Sequence, residues 1–170
     1  MDFFEIVSVI SLVLSGYLTI HQIYNSTTRT EIDILAQFNF SDSICLKISV
    51  NNLSSNPVAI TEATLSNRVT SITSKANYFN KTIATVTRKT NGEVTGFDSI
   101  IAEGVPINLP EKSARAFYLS FPVEEEDLNS LIQNNITLNL KINGKYRSVI
   151  FDPNSKSFPR EQLQKELGRK

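Results

Sequence analysis

His21 and Cys45 are the only histidine and the only cysteine in the chain, so the residues best suited to chemistry are nearly absent. His21 lies at the end of an apolar run near the N-terminus, which leaves the rest of the chain without an imidazole to activate a nucleophile, act as a general base or bind a metal. It reads as an anchor residue at a membrane interface, with a pH sensor as the alternative. Cys45 stands between Ile44 and Leu46, on the alternate face shared with Lys47 and Ser49. No activating partner accompanies it, so it reads as an inert small residue. A single cysteine also makes no intrachain disulfide framework and no cysteine-rich zinc site.

Other chemistries fare no better. The acidic run Glu124–Asp127 lacks the spaced Asp/Asn and Gly of a calcium loop and reads as the start of a helix. The six glycines form no phosphate-binding pattern. Acids are plentiful, but nothing singles out a pair for hydrolysis. No catalytic, cofactor-binding or metal-ligating residue is assigned, and no cofactor is expected. One basic group stands out: Lys141, Lys145 and Arg147, joined loosely by Lys156. It has two readings, a contact for an anionic surface or a solvated hairpin tip. With 17 basic and 17 acidic residues in 170, the chain lacks the global positive charge of a nucleic-acid binder.

The elements that would carry these residues divide the chain. From Phe3 to Ile20, eleven positions are Leu, Ile, Val or Phe, over about the length a bilayer core demands. Their insertion is worth on the order of −5 kcal/mol. A cleaved signal peptide would start with a basic region, whereas this one reads MDFFE; Val13-Leu14-Ser15 is a tolerable cleavage site. No cysteine near the end of the run marks a lipoprotein. An interfacial helix would carry Lys or Arg on its polar face, and here that face holds only small hydroxyl residues. The expectation is a transmembrane anchor helix over residues 1–24.

Ser8, Ser11, Ser15 and Thr19, with Gly16 beside them, recur at three and four residues and share one helical face. Small residues at that spacing permit close helix approach, which predicts self-association or docking on a membrane-protein partner. The alternative is that the hydroxyls bond the preceding turn of a lone helix. Arg29 is nearly the only charge the positive-inside rule can count, and taken literally it puts the body in the cytoplasm. The commoner arrangement of an N-terminal anchor and the Asn/Ser/Thr-rich surface favour an extracytoplasmic body at the cell membrane.

After a polar linker, 25–30, the period changes from helical to two. In "EIDILAQFNF", Ile32, Ile34, Ala36, Phe38 and Phe40 alternate with polar residues, apart from Leu35; Ile44, Leu46, Ile48 and Val50 repeat the pattern. Both predict strands with one buried face. Asn91-Gly92 and Asn143-Gly144 predict two-residue hairpin turns. Counting outward from the second puts Leu138 opposite Val149 and Ile136 opposite Phe151; from the first it puts Val86 opposite Phe97. Seven or eight short strands without strand–helix alternation predict an all-β antiparallel sandwich over 31–152. Residues 153–170 form a basic tail or short helix.

The stretch "KISVNNLSSNPVAITEATL" resembles the corresponding segment of bacterial immunoglobulin-like or fibronectin-like domains, a likeness of strand and turn spacing covering about 30–152. The layout, "FFEIVSVISLVLSGYLTI" joined by a short polar linker to a compact Asn-, Ser-, Lys- and Ile-rich domain, resembles the N-terminally anchored superinfection-exclusion proteins of temperate phages of Gram-positive bacteria. That resemblance implies a non-enzymatic, membrane-anchored interaction protein that blocks phage DNA entry, with the lipid bilayer as its partner. Alternatives are an accessory subunit of a membrane complex and a membrane-tethered carboxylate-dependent hydrolase or carbohydrate-binding domain.

Overall fold

The computed structural model describes residues 3–26, 29–91, 93–159 and 161–167. An N-terminal helix, α1 (Phe3–Ser26), precedes ten strands. They are β1 (Thr30–Asn39), β2 (Ser43–Asn52), β3 (Val58–Ser66), β4 (Thr73–Lys75), β5 (Lys81–Thr90), β6 (Glu93–Ala102), β7 (Ile107–Leu109), β8 (Ser113–Pro122), β9 (Ile136–Ile142) and β10 (Lys145–Phe151). Three short helices complete the chain: α2 (Glu125–Ile132), α3 (Pro153–Lys156) and α4 (Glu161–Leu167). The acids of α2 fall in its first turn, where the helix dipole favours negative charge. The C-terminal segment that the sequence leaves between tail and helix contains the helix α4.

The strands form two sheets, an all-β architecture with more strands than the seven or eight that the sequence predicts. One sheet runs β1-β2-β8-β6-β5, and the other runs β10-β9-β3, with β4 and β7 each pairing with β3. Pairing is antiparallel except where β6 meets β8 in parallel at Ala102 and Tyr118. Between the sheets lies a core of Ile44, Leu46, Ile48 and Val50 from β2, Phe117, Leu119 and Phe121 from β8, and the inward residues of β3 and β9. Each large side chain buried there is worth about 1.5–3 kcal/mol relative to exposure. Leu131 of α2 joins the same cluster.

The second hairpin has the register that its sequence dictates, with Leu138 opposite Val149 and Ile136 opposite Phe151. Asn143 and Gly144 take φ of 47° and 79°, as a turn with positive φ at both central positions requires. The first hairpin differs. Val86 faces Asp98 and Phe97 faces Thr87, because the register shifts between Arg88 and Lys89. Thr95 is the extra residue, a β-bulge that moves the pairing by one as far as Ala84, until Ile83, an extra residue on β5, restores the count.

A second bulge corrects the reading of β1. Ile34 pairs with Ile48 and Ala36 with Lys47, so Leu35 is inserted between consecutive partners. The two halves of the strand therefore face opposite ways. Ile32 and Ile34 point into the inter-sheet core, while Ala36 and Phe38 join Cys45, Ile83, Ile100, Ala102 and Leu163 in a separate cluster, with Phe40 packed against it. That cluster occupies the other face of the first sheet, and Leu163 of α4, fully buried, closes it. Phe158 adds a ring contact to Phe38 at 6.4 Å.

Among the described residues, no helix is long and apolar enough to cross a membrane. The side chains of α1 are described from Ile6 to Ile20. Every one of them is exposed.

The bulge makes a sharp prediction. Deleting Leu35 leaves Ile34 and Ala36 adjacent and on the faces they already occupy, so the deletion should cost only about 1–2 kcal/mol. Phe38→Ala should cost about 3–5 kcal/mol. Guanidinium unfolding of the full chain in detergent micelles, followed by circular dichroism, measures both. In an unbulged strand the deletion would turn one half of β1 inside out, and it would then be the more damaging change.

Candidate functional site

The helix stripe is built as its spacing predicts. Ser8, Ser11, Ser15, Gly16 and Thr19 all lie on α1, and all are exposed. Thr19 Oγ1 donates to the carbonyl of Ser15 at 2.8 Å, the local bonding a lone helix uses to satisfy a hydroxyl. A Cβ added at Gly16 would meet nothing within 4 Å. No contact inside the chain requires the glycine, and its notch is open to another backbone. The side chain of His21 lies outside the described residues.

The basic group is divided by strand alternation. Lys141 lies on the outward face of β9, opposite Tyr146, whereas Lys145 and Arg147 are opposite Ile142 and Leu140, on the alternate face. The three cations therefore form no single patch. Lys141 is also neutralised, since its Nζ meets Glu62 Oε1 at 2.7 Å and lies 5.6 Å from the Tyr146 ring centroid. Tyr146 donates its hydroxyl to the other oxygen of Glu62 at 3.3 Å. The hydrogen bond from Lys141 holds the Glu62 carboxyl below its ordinary value, and Glu62 in turn raises Lys141. Glu62 had no signal in the sequence, because only the β3–β9 pairing brings it beside Lys141.

Three further acids are engaged structurally. Arg88 holds Asp98 through two nitrogens, with contacts of 2.6 and 3.1 Å, and Arg115 meets Glu103 at 2.7 Å. Asp152 caps α3, accepting from Asn154 N at 2.9 Å. Cys45 is fully buried, and that burial pushes its thiol up to about 12, so at neutral pH it carries no thiolate. Among the described residues, no group of three His, Cys, Asp or Glu side chains is placed to hold a metal ion.

Two open clefts are lined by described residues. One, of about 250 Å³, lies between Phe40–Ser43 and Lys81–Ile83. The Lys81–Asp42 pair there spans 3.0 Å, and its hydrogen bond lowers Asp42. The other, of about 330 Å³, is lined by Arg68, Val69, Asn134, Asn135, Thr137 and Ile150. Its walls are fixed by Asn67, which is almost fully buried. Asn67 Nδ2 donates to the carbonyl of Leu131 at 2.8 Å, and its Oδ1 accepts from Val69 N at 2.9 Å. One side chain thus ties the loop after β3 to the end of α2.

No family model matches the chain, and no curated protein matches it. Among solved structures, a protein from Archaeoglobus fulgidus aligns at 13% identity over 74% of this chain and 90% of its own, with a TM-score of 0.35. The ligand-binding region of Serine-glutamate repeat protein A of Enterococcus faecium aligns at 9% identity over 77% of this chain and 96% of its own, with a TM-score of 0.36. A beta-glucosidase from Kluyveromyces marxianus aligns at 11% identity over 77% of this chain and 15% of its own, with a TM-score of 0.28.

The Glu62–Lys141 pair has a testable pH signature. A carboxyl lowered in the folded state contributes stability above its ordinary pKa, and loses it as pH falls through the lowered value. The raised lysine contributes below its ordinary pKa, and loses that contribution as pH climbs through the raised one. Carboxyl-carbon NMR of the full chain should find Glu62 titrating below the usual glutamate range. Lys141→Met should return it most of the way, leaving only the smaller lowering effects of Tyr146 and Lys75.

Proposed function

We propose that this protein is a non-enzymatic interaction module held at a lipid bilayer by α1. The observation that carries the reading is the exposure of every described side chain of α1 from Ile6 to Ile20, among them Ile10, Leu12, Val13, Leu18 and Ile20. Leu, Ile and Val cover the helix except for the narrow Ser8–Thr19 stripe, and burial of these side chains would come from outside the described sandwich. A wide apolar surface whose one polar stripe carries no Lys or Arg fits immersion in hydrocarbon better than a seat on a membrane surface. The sequence extends the run to Phe3, which supports a single-pass anchor with the body on the extracytoplasmic side of the cell membrane. The Ser8–Thr19 face then supplies contacts to a second copy or to another membrane helix.

The body, in this reading, is an immunoglobulin-like β-sandwich that acts by contact. Its more specific role is superinfection exclusion, in which a prophage product at the membrane stops incoming phage DNA. Support for that role is the layout of anchor, short linker and compact domain. An anchor raises the local concentration of the attached module at its target, so the activity should require both parts.

Two experiments test this reading. The full chain should fractionate with membranes and resist salt and alkaline extraction, and Ser11→Leu with Ser15→Leu should stay in the membrane while crosslinked complexes diminish. Unchanged crosslinking would remove the serine face from the proposal, and release by alkali would remove the anchor. In a bacterial host, the full chain should block infection after adsorption and before phage DNA appears inside the cell. The chain from Thr30 onward should protect poorly. Normal DNA entry for every phage tested would overturn the exclusion role, and loss of activity from one fold-neutral carboxylate change would turn the reading towards an enzyme.

A further inference from the structure

The cleft beside Asn67 gathers a cation, two asparagines and two exposed aliphatic side chains in one concave place. Arg88, Arg115, Lys81 and Lys141 each sit against a carboxylate at 3.0 Å or less. Arg68 makes no ion pair among the described residues, and none of the other cleft residues, Val69, Asn134, Asn135, Thr137 and Ile150, is acidic. Two asparagine side chains add amide donors beside the guanidinium. Val69 and Ile150, both largely exposed, supply an apolar wall. At about 330 Å³ the space falls at the small end of ligand sites, which run roughly 300–1,000 Å³.

We propose that this cleft binds a carboxylate attached to a small aliphatic group. The planar guanidinium of Arg68 matches the two oxygens of a carboxylate. Asn134 and Asn135 donate to the same oxygens, and Val69 and Ile150 cover the carbon skeleton. The end of α2 would oppose an anion, since its last carbonyls carry partial negative charge. Asn67 removes that objection in part by bonding the carbonyls of Leu131 and Ser130, at 2.8 and 3.4 Å. The same side chain accepts from the amide of Val69 at 2.9 Å, so the loop carrying Arg68 is held before any ligand arrives. That preorganisation lowers the ordering cost of binding.

Such a carboxylate has two sources, a free organic acid or the C-terminus of a peptide. Isotope-labelled full chain in detergent micelles is titrated separately with butyrate, with N-acetyl-trialanine, with N-acetyl-trialanine amide and with inorganic phosphate, following the amide signals of Arg68, Val69, Asn134 and Asn135. Both carboxylates should shift these signals saturably, and the amide and phosphate should leave them unmoved. Tighter saturation by the acetylated peptide than by butyrate identifies a peptide C-terminus, and equal saturation identifies a free acid. Arg68→Gln should weaken binding at least tenfold, and Ile150→Glu, which adds a like charge at an exposed position of the rim, should abolish it. The dispersed spectrum of each variant reports that the sandwich is intact. Equal response to the peptide amide, equal response to phosphate, the absence of saturation, or undiminished binding by Arg68→Gln would each overturn the proposal.

Discussion

Leu35 is one residue more than a regular pairing of β1 with β2 accommodates, and much of the architecture depends on it. A strand that alternates without interruption has one face for the core and one for solvent. By inserting Leu35, β1 contributes Ile34 to the inter-sheet core and Phe38 to a second apolar cluster on the opposite face. The first sheet consequently has two faces to bury and cannot end with a sandwich alone. Something must cover Phe38, Cys45, Ile83 and Ala102, and the chain supplies it from its far end. Phe158 packs on Phe38, its amide donates to the carbonyl of Gln37 at 2.9 Å, and Leu163 closes the cluster. A bulge near the start of the sandwich thus creates the demand for α4 near its end. The inertness of Cys45 is a by-product of the same cover.

The loops at the ends of the sandwich are held by a different device. Asn52 is fully buried, and its amide donates to the carbonyls of Asn56 and Pro110 at 2.9 and 2.8 Å, while its oxygen accepts from the amide and hydroxyl of Ser54. Asn67 does the equivalent between the loop after β3 and α2. A buried amide left without partners costs about 1–3 kcal/mol, so these side chains are tolerable only because their hydrogen-bonding groups are met. Satisfied in that way, each clamps two loops with one residue. Fixed loops matter for a binding surface, because the backbone that carries a residue such as Arg68 keeps its position without a ligand to hold it.

How much of this was legible depended on whether a pattern was local. The β9–β10 hairpin could be read to the residue, because Asn143-Gly144 fixes a turn without a bulge and the apolar face follows by counting. The β5–β6 hairpin carried the same turn signal, but Thr95 displaced its register, and an alternation already mixed at Val86 gave no warning. In β1 the exception at Leu35 was visible, and what it concealed was the reversal of Ala36 and Phe38. The division of Lys141 from Lys145 and Arg147 was implicit in the predicted register, since neighbours across a turn alternate faces. Glu62 was not legible at all. It reaches Lys141 through a pairing of β3 with β9 separated by most of the sandwich in sequence. Arg68 was missed for another reason, because what singles it out is the cleft it shares with Asn134, Asn135 and Ile150, which are distant from it in sequence.

The distribution of charge bears on the proposed role. Zero net charge follows from 17 basic against 17 acidic residues, and four of the acids, Asp42, Glu62, Asp98 and Glu103, also lie each against a cation. Such exposed pairs add little stability, but they remove the fields that would draw the body non-specifically to an anionic membrane surface. In the proposed reading, attachment rests on apolar burial of α1, which salt does not screen. Separating the two functions in this way leaves the sandwich free to be selective, since it need not also provide the adhesion. A body with a general basic face would cling to headgroups whatever its partner. One whose charges balance overall, with four of its cations held by neighbouring carboxylates, leaves recognition to particular places such as the cleft that holds Arg68.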